Sequence, residues 1–260
     1  MNILDKIIAD KRKEVELKKQ IIPIAQLESS VLFEKSTNSL KNNLQKESSG
    51  VVAEFKRRSP SRPNLNSTLN VWDAVKTYEN NGVSGISILT DGKYFGGSLD
   101  DFLVARASVQ LPLLRKDFMV DEFQILEAKA HGADVILLIA AVLNRKEIEN
   151  LSQFAKSLGL EVLLEVHNQE ELENSLMPSV DLVGVNNRNL KTFETHITTS
   201  LELAEFIPTE FVKVSESGIQ DGATIKQLRS AGYKGFLIGE SFMKSDNFGE
   251  NTQELMQEFN

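Results

Sequence analysis

The stretch VVAEFKRRSPSRP, residues 51–63, begins like a buried strand and then departs from one. Val51, Val52, Ala53 and Phe55 are core residues, yet Glu54 and Lys56 interrupt them two positions apart. Residues two apart in a strand share a face, so a carboxylate and an ammonium point the same way, with Phe55 on the other side. Seven further short apolar runs follow at intervals: GISIL (85–89), LPLLRK (111–116), DVILLI (134–139), LEVLLEV (160–166), DLVGVN (181–186), FVKVSE (211–216) and GFLIGE (235–240). Helix-patterned segments such as VWDAVKTYENNG and RKEIENLSQFAKSLG lie between them, several ending in Gly, the residue that best tolerates the left-handed turn after a helix. Near-continuous apolar strands alternating with amphipathic segments argue for parallel strands covered by helices. Eight such units close into an α/β (β/α)8 TIM barrel, whose functional groups gather at the C-terminal ends of the strands. A doubly wound open sheet is the competitor, but no Gly-rich fingerprint follows the first run.

Residues 1–47 have a different texture. Ile3, Leu4, Ile7, Ile8 and Val15 fall at helical spacing among many Lys and Glu. Pro23 breaks the pattern, a second helical stretch is expected over 27–44, and Ser-Ser-Gly at 48–50 closes the preface. The expectation is one barrel domain over 1–260, with 1–47 as an N-terminal helical extension. The net charge of −8 comes without a Lys/Arg stripe, so no nucleic acid is expected as a partner. No apolar run approaches membrane-spanning length, and the charged N-terminus lacks the apolar core of a secretory signal. The absence of cysteine removes disulfides, thiol nucleophiles and thiolate metal sites, and fits a cytoplasmic location. His131 reads as a helix-end residue, while His167 and His196 have no partner at metal-ligand spacing, so no metal is expected.

The ends of the runs test the barrel reading. Glu54 and Lys56 close the first run, Arg115, Lys116 and Asp117 the third, and Glu165 lies in the fifth. Asn186, Asn187 and Arg188 close the sixth, Ser215, Glu216, Ser217 and Gly218 the seventh, and Gly239 and Glu240 the eighth. Burying such groups is costly unless they are paired or functional. An isolated one is as well explained by an ion pair between strands. Four converging on one barrel mouth, Glu54, Lys56, Lys116 and Glu165, favour function. SESGI (215–219) and IGES (238–241) offer small residues at helix starts, where backbone N–H groups can approach an anion, and the last two strand–helix loops are the recurrent phosphate site of this fold. Glu240 should offer its backbone N–H there and turn its carboxylate away. Phe95 and Phe118, just past the second and third runs, either pack under loops or wall a pocket for a flat apolar ring.

The segments AEFKRRSPSRP, YFGGS, LLRKDFMVDEFQILEAKAHGAD, LLEVH, GVNNRNL, SESGI and LIGESFM, in this order and spacing, resemble the indole-3-glycerol-phosphate synthase family of tryptophan biosynthesis. The likeness runs from about residue 50 to 245 and extends to the helical preface. It implies a small phosphorylated substrate, 1-(2-carboxyphenylamino)-1-deoxyribulose 5-phosphate, closed to indole-3-glycerol phosphate with loss of carbon dioxide and water and without a cofactor. Lys116 matches the family's proton donor, Glu165 its carboxylate base, and Lys56 the lysine that holds the anionic substrate. Which lysine acts in which step stays open. By the same resemblance Glu54 balances the lysines, Asn186 hydrogen-bonds substrate or a catalytic side chain, and Ser59 and Arg188 contact its anionic parts. Ser217, Gly218, Gly239 and Glu240 form the phosphate nest, with Glu216 in support. A monomer is implied, with room for weak association with other pathway enzymes and no membrane partner. One departure is Arg62 followed by Pro63, where the family commonly has a basic residue and glycine; proline fixes φ and removes an N–H, so a stiffer first loop is expected. Rival readings are a Schiff-base aldolase, phosphoribosylanthranilate isomerase, whose typical cysteine is absent, and a catalytically silent metabolite-binding barrel.

Overall fold

The computed structural model describes residues 2–46, 49–189, 192–245 and 247–259. Its centre is a closed parallel barrel of β1 (Val51–Phe55), β2 (Gly85–Leu89), β3 (Leu113–Lys116), β4 (Val135–Ile139), β5 (Glu161–Val166), β6 (Leu182–Asn186), β7 (Val212–Glu216) and β8 (Gly235–Ile238). Each strand pairs with the next, and β8 returns to β1 with Val51 opposite Phe236. A helix follows every strand, from Val71–Asn80 after β1 to Phe248–Phe259 after β8. Asn70, Ser98, Asp121, Asn144, Asn168 and Asp221 start six of these helices by accepting a hydrogen bond from an amide of the first turn.

Strand parity sorts the side chains. Val51, Ala53 and Phe55 face the helices and join the outer core, as do Ile86, Ile88, Val183 and Val185. Val52, Leu114, Leu137, Leu163, Leu182, Val214 and Leu237 fill the lumen. The lumen is therefore a packed apolar column up to the level where Glu54, Lys116, Glu165 and Glu216 replace it.

Three helices precede the barrel: α1 (Ile3–Ile21), α2 (Ile24–Glu28) and α3 (Leu40–Gln45). The single helix expected over 27–44 is not formed. Residues 29–39 are turns and irregular chain, held by short-range turn bonds such as Phe33 N–H to the Ser30 carbonyl (2.9 Å) and by bonds to the barrel's lower rim. The Ser30 hydroxyl donates to the Ala130 carbonyl (2.6 Å) and that of Thr37 to the Gly159 carbonyl (2.8 Å). Asp134, just before β4, accepts the Asn38 N–H at 2.7 Å, the Leu113 N–H at 2.8 Å and the Arg106 guanidinium at 2.8 Å. Ser39 then caps α3, which places Leu40 and Leu44 in the base of the lumen. Ser48 of the expected closing tripeptide lies outside the described residues.

At its other end α1 reaches the barrel mouth. Its buried stripe is Ile7, Lys11 and Val15, with a lysine in the middle of the apolar face. The Lys11 ammonium lies 3.0 Å from Asp91 and 3.1 Å from Asp117, in the loops after β2 and β3. Burial opposes its charge, but Asp117 and Asp91 outweigh that and raise its pKa. Leu40→Ala should lower the unfolding free energy by about 2–5 kcal/mol, since it removes buried methyl groups and leaves a void under the lumen. Urea unfolding measures this, and an unchanged midpoint would show that α3 does not plug the barrel.

Candidate active site

A cavity of about 440 Å³ opens at the C-terminal ends of the strands. Glu54, Lys56, Lys116, Glu165, Asn186 and Glu216 line its depth; Ser59, Arg188, Ser217, Gly218, Gly239 and Glu240 line its rim. Phe95 and Phe118 line it too, with ring centroids 5.9 Å apart. All fourteen sequence-derived candidates thus meet at one mouth.

Their arrangement is set by the barrel. Inward positions on alternate strands share a layer in this fold, and Glu54, Lys116, Glu165 and Glu216 come from β1, β3, β5 and β7. The Lys116 ammonium is 2.8 Å from Glu165 and 2.6 Å from Glu216. Lys56 pairs instead with Glu54. The charged group is therefore a triad beside a pair, and Glu216 is a direct partner of Lys116, where the sequence suggested only a supporting place. The signal for this was present: Val212, Val214 and Glu216 share one strand face.

Room for the carboxylates comes from Gly184 on β6 and Gly239 just past β8. A Cβ at Gly184 would stand 2.2 Å from Oε1 of Glu216, and one at Gly239 would stand 2.8 Å from Oε1 of Glu54. Asn186 donates to the second oxygen of Glu165 (3.2 Å), and its own side-chain oxygen accepts the Arg188 N–H (3.0 Å). Asn187 faces away from the cavity; its amide group donates to the Glu216 and Ser217 carbonyls, both at 3.0 Å, and fixes the end of β7. Ser217 follows with φ at +68° and Gly218 with +78°. Such values are uncommon in a residue other than glycine and concentrate at functional sites.

At the rim, Arg188 donates to the Ser61 hydroxyl (3.0 Å) and to Glu240 (3.3 Å), and Arg62 reaches the other oxygen of Glu240 (3.2 Å). The Glu240 carboxylate thus has two arginine partners. Ser59 and Arg62 bond back to each other through their main chains, so Pro60 and Ser61 form a tight turn before Pro63. One wall was not anticipated: Ile3, Leu4 and Ile7 of α1 line the cavity.

Two comparisons bear on this site. The sequence model of the indole-3-glycerol phosphate synthase family matches residues 4–255. The chain belongs to that family. The indole-3-glycerol phosphate synthase of Bacteroides thetaiotaomicron is 47% identical over 256 residues, 98% of each chain. That of Burkholderia ambifaria is 43% identical, over 96% of this chain and 97% of its own length. A solved structure described as native KDPGal superposes with a TM-score of 0.59 at 12% identity, over 86% of this chain and 95% of that one, a likeness of fold alone.

Within this family member the electrostatics are uneven. Burial opposes the Lys116 charge, but Glu165, Glu216 and Glu54 outweigh it and raise its pKa. Burial likewise pushes Glu165 up, but Lys116 and His167 hold it down at about 2. Glu216 goes the other way, to about 7: burial and the Glu165 charge exceed what Lys116 returns, and its Oε1 is buried with no hydrogen-bond partner among the described residues. Two carboxylates sharing one cation cannot both ionise freely.

The sign of the linkage follows. With its folded pKa raised, Glu216 binds more protons in the folded than in the unfolded chain between about pH 4.5 and 7, so stability falls as pH rises through that window. Glu216→Gln removes this dependence. Thermal unfolding at pH 5 and pH 8 should show the variant gaining on the parent as pH rises; a constant difference would place the Glu216 pKa in the ordinary range.

Proposed function

We propose that the chain closes 1-(2-carboxyphenylamino)-1-deoxyribulose 5-phosphate to indole-3-glycerol phosphate. The observation that carries this is the Lys116 ammonium, clasped by Glu165 and Glu216 beside the Phe95–Phe118 wall in one anion-ready cavity. The substrate's aromatic ring lies against the two phenylalanines and α1. Its phosphate takes the turns at Ser217 and Gly218 and at Gly239 and Glu240, where glycine lets the backbone come close. Its carboxylate is held by Lys56, with Arg188 and Ser59 completing the anionic contacts.

The chemistry then needs protons moved at fixed points. The ring carbon bearing the carboxylate attacks the ketone carbon, and the oxygen that becomes an alkoxide takes a proton from an ammonium. Lys116 is positioned for that transfer, being fully charged and sunk between carboxylates that steady the charge without replacing it. Carbon dioxide leaves with its electron pair retained by the ring, restoring the benzene system. Loss of the hydroxyl as water then needs an acid, supplied by Lys116 or Lys56. Removal of the last C–H proton forms the indole, and Glu165, ionised at neutral pH, takes it. Asn186 keeps the Glu165 carboxylate oriented, Glu54 balances Lys56, and Glu216 balances Lys116. The reaction asks for no cofactor, and the reading places a monomeric enzyme in the cytoplasm, its one barrel extended by residues 1–47.

A Schiff-base aldolase would need a neutral amine at Lys116, against which its two carboxylate partners weigh. The test is the fluorescence of indole-3-glycerol phosphate formed by the parent and by Lys116→Ala. The parent should turn over, and the variant should lose roughly 10²- to 10⁴-fold in kcat, the usual contribution of a positioned proton donor. Full activity in the variant would remove Lys116 from the role, and a borohydride-stable adduct at Lys116 with a ketose phosphate would point to the aldolase.

A further inference from the structure

Behind Glu165, outside the set of side chains that line the cavity, stands His167, the residue immediately after β5. It is held from the helix Gln169–Ser175. One oxygen of Glu171 accepts the His167 backbone N–H at 2.8 Å and faces the ring's Nδ1 at 3.1 Å. Asn168 fixes Glu171 in turn, its side-chain N–H donating to the other oxygen at 2.9 Å. A carboxylate only accepts at this pH, so Nδ1 carries a proton. Nε2 then lies 3.4 Å from Oε1 of Glu165, at ion-pair distance, and is buried with no hydrogen-bond partner among the described residues.

That orientation is informative. A neutral ring with its proton on Nδ1 would leave the Nε2 lone pair close to a carboxylate oxygen, which is repulsive. An imidazolium sets a positive charge beside the same oxygen and adds to the contacts of Glu165, whose two oxygens already accept from Lys116 and Asn186. The charged groups around the ring are Glu171 on the following helix, Glu165 on β5 and Glu216 on β7, with Lys116 beyond Glu165 as the opposing cation. Burial disfavours the ring's charge, but Glu171, Glu165 and Glu216 outweigh it and raise its pKa.

We propose that His167 is a positioning residue whose imidazolium is the second cation on Glu165, aligning that carboxylate and keeping it ionised while Lys116 gives its proton away. The proposal rests on the reaction assigned above. Once Lys116 has donated, it is a neutral amine, and Glu165 loses the opposite charge 2.8 Å away. A buried carboxylate without a cation takes up a proton, which would spoil the base needed for the last step. His167 does not touch the cavity and is not consumed, so it can hold Glu165 through both halves of the reaction.

The chain has only three histidines, so two-bond ¹H–¹⁵N spectra resolve their rings, with His167 identified as the signal missing in His167→Gln. The expected result is a doubly protonated His167 at neutral pH, with a midpoint that falls by about one unit or more in Glu171→Gln and in Glu165→Gln. A neutral His167 at pH 7, or a midpoint indifferent to both substitutions, would overturn the proposal. In turnover, His167→Gln keeps a side-chain N–H but loses the charge. The acid limb of its kcat–pH profile should move up by about one pH unit, with kcat below the limb down about tenfold and KM little changed. Glu171→Gln should shift it in the same direction. A limb superimposable on the parent's in both variants, with only KM or the melting temperature altered, would reduce His167 to packing. Failure of the parent to form indole-3-glycerol phosphate would overturn the assigned reaction, and the spectra would still decide the charge state of the ring.

Discussion

An ammonium inside a protein persists only where carboxylates replace the water it has lost. Lys116 meets that condition through Glu165 and Glu216, 49 and 100 residues away in the chain. Only a closed barrel brings three such positions together, because inward residues of β3, β5 and β7 share one layer when the sheet curls through a full turn. The apolar column below that layer has the complementary duty. Its side chains exclude water from beneath the charges, so the carboxylates hold the lysine in a medium where their attraction is little screened.

Closure also explains the composition of the strands between. Gly184 of β6 and Gly239, just past β8, lie against Glu216 and Glu54, and the clearances there show that any side chain would displace a carboxylate oxygen. The glutamates of β1 and β7 and the two glycines beside them form a single design. Asn186 then uses the last inward position of β6 to orient Glu165. The result is an ammonium and a carboxylate held 2.8 Å apart, with Lys116 charged and Glu165 ionised near neutrality, while Glu216 sits closer to its midpoint.

Period-two patterning made much of this legible from residues alone. All eight strands lie within the apolar runs, and the charges at strand parity in VVAEFK and LEVLLEV mark the mouth. What could not be read are features whose partners are remote. Residues 29–39 carry an unremarkable local pattern, and partners some hundred residues downstream, the Ala130 and Gly159 carbonyls and the Asp134 carboxylate, fix their path. Lys11 looks like one more charge on a polar helix until Asp91 and Asp117 surround it. His167 has no partner at metal-ligand spacing, and the local sign that its ring is clamped is a glutamate four residues on, at the start of a helix.

Lys11 joins the preface to the chemistry. One turn before it, Ile7 lines the cavity. Its partner Asp91 caps the short helix Gly92–Phe95, and its partner Asp117 accepts the N–H of Phe118 at 2.8 Å while also bonding Thr90 and Arg115. Burial resists the Asp117 charge, but Lys11 and Arg115 hold its pKa at about 2, so this carboxylate stays ionised near neutrality. A buried ionic network of this kind often adds little to stability compared with an apolar packing of equal volume, so its value lies in placement. Through one ammonium it fixes α1, the loop carrying Phe95 and the loop carrying Phe118. Those are the three elements that form the apolar wall, and Lys116 is the chain neighbour of Asp117. The wall and the Lys116 ammonium therefore share one anchor, and a shift of α1 would be felt at both.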